Sequence, residues 1–276
     1  MLAGFLLSLR EGLEAALVIG MVLGVLTKLE RTDLNRTVWS GLALAAALST
    51  AIAVALALLG MEFAGLGEMI FEGSAMLLAA GVLTWMIIWM HRSAGTLKTQ
   101  IEAKTRNALN EKTGGGLFAL AFLAVFREGV ELALFLLAVE KASSPIQALT
   151  GALTGLAGAA LLGWMLFSST RKMSLQGFFK ATNILLIIFA AGMVASGVHE
   201  FIEAGFISGL IEPVWNINGI LSDQSELGLL LKALVGYNGA PSLTELLVYI
   251  AYMAGIAAYT FARNQQKITP VVGMAD

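Results

Sequence analysis

The chain has 276 residues, of which 58% are hydrophobic and 13% charged, with a mean hydropathy of +0.81, a formal net charge of -2 and no cysteine. Soluble domains carry about 25% charged residues, so water is not the main solvent of this chain, and with no basic stripe nucleic acid is excluded as a partner. Without cysteine there are no disulfides, thiolate metal sites or iron-sulfur clusters, so any metal must be held by oxygen or by the two histidines.

Apolar stretches of about 20 residues recur, each long enough to cross a roughly 30 Å hydrocarbon core as a helix. Span 1 is expected at residues 3–27. It lacks a basic n-region and carries Arg10, Glu11 and Glu14 within it, whereas a signal peptide keeps its h-region uncharged, so it is read as a retained helix. Spans 2 and 3 follow at 39–60 and 69–90, with Met86, Met90 and His91 at the end of span 3 read as packing residues rather than a copper site. A polar connection with a Gly114-Gly115-Gly116 hinge leads to spans 4, 5 and 6 at 117–139, 147–168 and 180–203. The mixed segment 205–241 is expected on the outer face, part of it as a short interfacial helix, before span 7 at 242–263.

The expected fold is therefore an all-α integral membrane protein of seven transmembrane helices: two inverted three-helix repeats plus a final helix. Its single domain, 1–276, divides into a first repeat (1–91), a cytoplasmic loop (92–116), a second repeat (117–204), an extracytoplasmic loop (205–241), helix seven (242–263) and a cytoplasmic tail (264–276). A shift of 117 residues lays Arg10 on Arg127 and brings spans 2 and 3 roughly onto 5 and 6. An odd number of helices per repeat inverts the second, and such folds bind substrate between the repeats. Basic residues set the orientation. Lys28, Arg31, Arg36, Arg92, Lys98, Lys104, Arg106, Lys112, Arg171, Lys172, Lys180, Arg263 and Lys267 fall on one side against Lys141 and Lys232 on the other. The N-terminus is thus expected outside and the C-terminus in the cytoplasm.

Spans 1 and 4 each hold three ionisable residues, at a cost of about 2.5–3.5 kcal/mol apiece at a helix centre. Arg10, Glu11 and Glu14 share one helix face, and Arg127, Glu128 and Glu131 repeat the pattern. Gly12 and Gly129 leave room for a close neighbour. Ion pairing alone could lock the two helices together. Yet four carboxylates against two guanidinium groups leave two negative charges in a low-dielectric site, which calls for a cation. Glu72, near the outer start of span 3, and His199, Glu200 and Glu203, at helical spacing near the outer end of span 6, offer a second metal site or an entry relay. Glu62, Glu68, Glu140, Glu212, Asp223, Glu226 and Glu245 add acid to that mouth. Carboxylates suit hard cations such as iron(III), magnesium, calcium or manganese, and imidazole extends the range to iron(II) and zinc.

With Arg-Glu-Gly-Leu-Glu in span 1 and Phe-Arg-Glu-Gly-Val-Glu in span 4, the chain resembles the high-affinity iron permease family of fungi and bacteria, in particular its bacterial EfeU-type members. The Phe71-Glu72-Gly73 start of span 3, its Trp85-Met86 and Trp89-Met90 pairs and the His199 to Glu203 stretch extend the likeness along the whole chain. The resemblance implies an importer of iron across the plasma membrane, the inner membrane in bacteria, with Glu11, Glu14, Glu128 and Glu131 as iron ligands and Arg10 and Arg127 as the motif arginines. It implies iron as the transported substrate, no tightly bound cofactor, and extracytoplasmic iron-oxidising or iron-delivering partner proteins. It also implies a transporter rather than an enzyme. A carrier of another divalent or heavy-metal cation, or a proton-coupled cation exchanger, is the alternative. The Glu-x-x-His pairs of a di-iron enzyme are absent, since Ser196 precedes His199 by three residues.

Overall fold

Long apolar runs with no water to bond must pair every backbone N–H and C=O internally, and a helix does so within each segment. The computed structural model describes residues 1–93, 97–110, 115–142, 145–168 and 176–268. Their regular elements are all helical: α1 (Leu2–Lys28), α2 (Asn35–Glu62), α3 (Leu66–Ser93), α4 (Leu97–Asn110), α5 (Gly115–Ala142), α6 (Pro145–Ser168), α7 (Gln176–Glu203), α8 (Glu226–Val235) and α9 (Leu243–Ile268). Five segments are long and apolar enough to cross a membrane: Thr32–Gly60, Leu66–Trp89, Ile146–Met165, Thr182–Glu203 and Leu243–Ala262. The helices α1 and α5 equal them in length, with 27 and 28 residues, but each carries the three charged residues of its motif.

The outward faces of α2 and α6 show what solvent they meet. Leu44, Leu48, Val54 and Leu58 of α2, and Leu149, Leu153, Leu161 and Trp164 of α6, are exposed, large apolar side chains in number along two helix faces, as a lipid-facing surface requires. Inside, the helices pair across the chain: α1 lies along α6, α2 along α5, and α3 along α7, while α1 also crosses α5. The α1–α6 seam is close enough to need glycine. A Cβ on Gly155 would stand 2.4 Å from the carbonyl oxygen of Phe5, and one on Gly151 2.2 Å from that of Met1. Gly12 and Gly129 also lie in seams, facing Ala159 of α6 and Ser49 of α2, where an added Cβ would stand 2.7 Å from the Ala159 Cβ and 2.2 Å from the Ser49 Oγ.

Two segments expected as connections are built otherwise. The stretch 92–116 holds α4, which buries Ile101, Thr105 and Ala108 against the bundle because these residues recur at helical spacing on one face. Gly115 and Gly116 form the first turn of α5 rather than a hinge. Gly114, Lys112, Arg171 and Lys172, and residues 269–276 of the expected tail, lie outside the described residues.

The second exception is α8, within the expected outer loop. It packs against α7, α5 and α1 instead of resting on the surface. Ser225 caps its start by accepting from the Gly228 N–H at 3.0 Å. Gly236 ends it in the left-handed conformation (φ 70), where its N–H and that of Tyr237 bond back to carbonyls of the last turn. A Cβ on Gly236 would also lie 2.2 Å from the Cα of Gly192 in α7, so this position excludes side chains twice over.

Candidate metal centre

Where α1 crosses α5, both motifs turn inward. Arg10 is 0% exposed, Glu11 1%, Glu128 3% and Glu131 5%. Arg10 holds two acids of its own helix, Nη1 at 2.5 Å from Glu11 Oε1 and Nη2 at 2.7 Å from Glu14 Oε1. Arg127 does the same on α5, with Nη2 against Glu128 Oε1 and Nε 3.6 Å from Glu131 Oε1. Across the helices, oxygens of Glu11, Glu128 and Glu131 all lie within 4.8 Å of one another. Glu14 is not in this group of three, and its Oε1 pairs with Arg10.

The Oε2 atoms of Glu11, Glu128 and Glu131 are buried with no hydrogen-bond partner among the described residues. Buried carboxylate oxygens are normally paired, because leaving one unsatisfied costs several kcal/mol in order of magnitude. Three carboxylates gathered within 4.8 Å, each with an unpartnered oxygen and with fewer guanidinium groups than carboxylates around them, form a donor set suited to a hard or borderline cation.

Both arginines are steadied by α3. Arg10 Nη1 donates to Met86 Sδ at 3.1 Å, and the Arg127 guanidinium lies 4.9 Å from the centre of the Trp89 ring. Met86, read from sequence as packing, therefore also accepts from a charged donor. The side chains of Met90 and His91 lie outside those described.

A separate cavity of about 250 Å³ opens toward the end of the bundle where α3 begins and α7 ends, and its acids are Glu68, Glu72, Glu200 and Glu245. Glu72 and Glu200 meet there because α3 and α7 touch at glycines: a Cβ on Gly73 would be 3.0 Å from the Gly197 carbonyl oxygen and 3.1 Å from the Glu200 Cβ. His199 also lines the cavity, with Nδ1 3.1 Å from Glu245 Oε1 and Nε2 3.3 Å from Glu203 Oε1. Both ring nitrogens thus face carboxylates, and the imidazole would have to leave one of them before binding a metal. Glu203, half exposed, joins this group through His199.

By sequence Glu245 is one scattered acid of the mouth; in the structure it organises the cavity. Its Oε1 accepts from the Ser242 N–H and hydroxyl at 3.1 and 2.8 Å, its Oε2 from Asn238 Nδ2 at 2.8 Å, and the Ser242 hydroxyl accepts the Glu245 N–H at 3.3 Å. This is a capping box at the start of α9, and the Ser-Leu-Thr-Glu sequence announces it.

The cavity and the carboxylates are bridged by the main apolar cluster. Met76, Phe189 and Met193 line the cavity and are part of this cluster, which also contains Leu83, Phe135 and the Met86 that touches Arg10. Ala138 of the cavity wall lies seven residues along α5 from Glu131, about 10 Å.

The chain is similar to known proteins along nearly its full length. Residues 1–262 match the iron permease FTR1 family. The ferrous iron permease EfeU of Escherichia coli O6:H1 is 35% identical over 255 residues, covering 92% of this chain and 92% of that protein. The ferrous iron permease EfeU of Yersinia pestis is also 35% identical over 255 residues, covering 92% and 90%, and that of Shigella sonnei is 34% identical, covering 92% of both. No solved structure matches the chain. With a family match spanning residues 1–262 and long apolar helices throughout, the chain is a multi-pass membrane protein that belongs to the iron permease FTR1 family.

Proposed function

We propose that this protein imports iron, as the ferrous ion, across the plasma membrane, binding it between α1 and α5 through Glu11, Glu128 and Glu131. The observation that carries this reading is the convergence of those three buried carboxylates within 4.8 Å. Charge supports the valence: four glutamates with two arginines leave two negative charges, which one divalent ion neutralises. The relatives named as ferrous iron permeases support the identity of the ion.

In this reading α1, α2, α3, α5, α6, α7 and α9 are seven transmembrane helices, with the first and second groups of three as inverted repeats. The packing supports the relation. Exchanging α1, α2 and α3 with α5, α6 and α7 turns the α1–α6 seam into the α5–α2 seam and returns the α3–α7 and α1–α5 contacts to themselves. The ion enters from the outer side past Glu72 and Glu200, with His199 and Glu203 beside them, while the apolar layer around Phe135 and Phe189 closes the path to the carboxylates. Arg10 and Arg127 neutralise the empty site, and withdraw toward Met86 and Trp89 when the ion arrives. Rocking of the repeats then exposes the site to the cytoplasm. Extracytoplasmic proteins that deliver or oxidise iron are the partners this reading expects at the outer mouth.

Uptake of radioactive iron(II) into proteoliposomes tests the proposal. Glu11→Gln and Glu128→Gln, reconstituted at wild-type abundance, are expected to abolish uptake, and wild-type rates in either would refute the site.

A further inference from the structure

The cavity that leads toward the carboxylates contains its own cation. Lys232 lines it together with Glu68, Glu72, Glu200 and Glu245, and is the only lysine or arginine among the described lining residues. It is brought there by α8. Gly236, at the end of that helix, abuts Gly192, which lies eleven residues before the end of α7 at Glu203, about 16 Å down the helix axis. A segment whose neighbours in sequence lie at the mouth is thus folded into the bundle, where short interrupted helices are tolerated because they line a cavity.

The direction of α8 matters as much as its depth. Its C-terminal end carries the partial negative charge of the helix dipole and points into the cavity beside the acids, so that end attracts cations. Lys232, in the last turn, is the protein's own answer to this charge. Its ammonium is in none of the ion pairs within 4.0 Å among the described residues, and it sits on a flexible four-carbon stem. Helix terminus and carboxylates would concentrate any cation, including abundant monovalent ones and magnesium, and the tethered ammonium offsets that general attraction.

We propose that Lys232 is a specificity-determining residue of the transporter: a tethered cation that occupies the acidic vestibule and that only a strongly coordinating divalent ion displaces. Ions bound weakly by carboxylate fail to compete with it, and the transported ion passes at the cost of a higher KM. This rests on the transport reading of the carboxylate site given above.

The absence of native cysteine makes a direct test clean, since in Lys232→Cys the introduced thiol is the sole one. In proteoliposomes, Lys232→Gln and Lys232→Cys are expected to lower the KM for iron(II) by a factor on the order of ten, the scale on which one charge in a cleft changes local ion concentration. Millimolar magnesium, inert toward wild type, should then inhibit uptake. Aminoethylation of Lys232→Cys with a methanethiosulfonate reagent, which rebuilds a lysine-like side chain, should restore both the KM and the resistance to magnesium, and excess iron(II) should slow that labelling. An unchanged KM with unchanged magnesium resistance overturns the proposal, as does a loss of transport that aminoethylation fails to reverse. Glu128→Gln, assayed alongside, keeps the two readings apart. If it transports normally the carboxylate site itself is wrong, whereas if it is inactive while the Lys232 variants behave as wild type, only the role of Lys232 falls.

Discussion

The guanidinium of Arg127 lies over the ring of Trp89, 4.9 Å from its centre, while the same group pairs with Glu128 and Glu131. One turn earlier on α3, Met86 accepts from Arg10. The third helix therefore holds the counter-ions of a site whose carboxylates belong to the first and fifth.

That contact makes Trp89 a positioning residue for Arg127. Removing the ring in Trp89→Leu forfeits a cation–π attraction of about 1 kcal/mol and leaves Arg127 more firmly on the carboxylates. The expected outcome is a KM for iron(II) raised by about fivefold with little change in kcat. Trp89→Phe should recover part of the loss, and initial-rate uptake at varied iron concentration measures both.

The four motif glutamates are not equivalent. Glu128 belongs to the group of three within 4.8 Å, whereas Glu14 is not in it and pairs with Arg10. Glu128→Gln should therefore weaken iron(II) binding by more than Glu14→Gln does, a ranking that equilibrium binding of iron(II) to detergent-purified protein would check.

Binding should also appear as stability. An ion that binds only the folded protein adds about 2.7 kcal/mol at a hundredfold excess over Kd. Iron(II) under anaerobic conditions is expected to raise the Tm of the wild type, and Glu11→Gln combined with Glu128→Gln should remove that rise. Chelation should return the wild type to its starting Tm.

Packing predicts a contrast between two glycines of the first repeat and its partner helix. A side chain at Gly155 collides with the α1 backbone at Phe5, so Gly155→Val should destabilise by about 1–3 kcal/mol or more through overpacking. Gly24 has nothing within 4 Å of a Cβ, so Gly24→Ala is expected to be neutral or to stabilise by up to about 1 kcal/mol. Thermal unfolding in detergent, followed by size-exclusion recovery, reads both.

The capping box at the start of α9 gives a further check. Ser242→Ala removes the hydroxyl that donates to Glu245 and accepts its N–H, at a cost of about 1 kcal/mol. The expected result is a lower Tm. Because Glu245 also holds His199, looser geometry at the cavity should be visible as a changed KM for iron(II).

Much of this protein is determined by the order of its residues. Runs of apolar side chains long enough to cross a bilayer dictate helices wherever water is absent, and the observed α1, α3 and α7 begin and end within a few residues of where hydropathy places them. The two Arg-Glu-x-x-Glu motifs announce themselves for the same reason, since charge inside such a run is too costly to be incidental. Helical spacing, a local property, also puts each arginine within reach of the acids on its own helix.

Tertiary structure decided everything that depends on one helix meeting another. It set Glu11 beside Glu128 and Glu131 in a group that does not include Glu14, gave Met86 and Trp89 to the arginines, made Glu245 of α9 an organiser of the cavity, and drew Lys232 from a segment expected outside into the cavity wall. Hydropathy could not foresee this. It measures how each segment prefers lipid or water, whereas these contacts follow from close glycine approaches and from the burial of a short helix between neighbours far away in the chain.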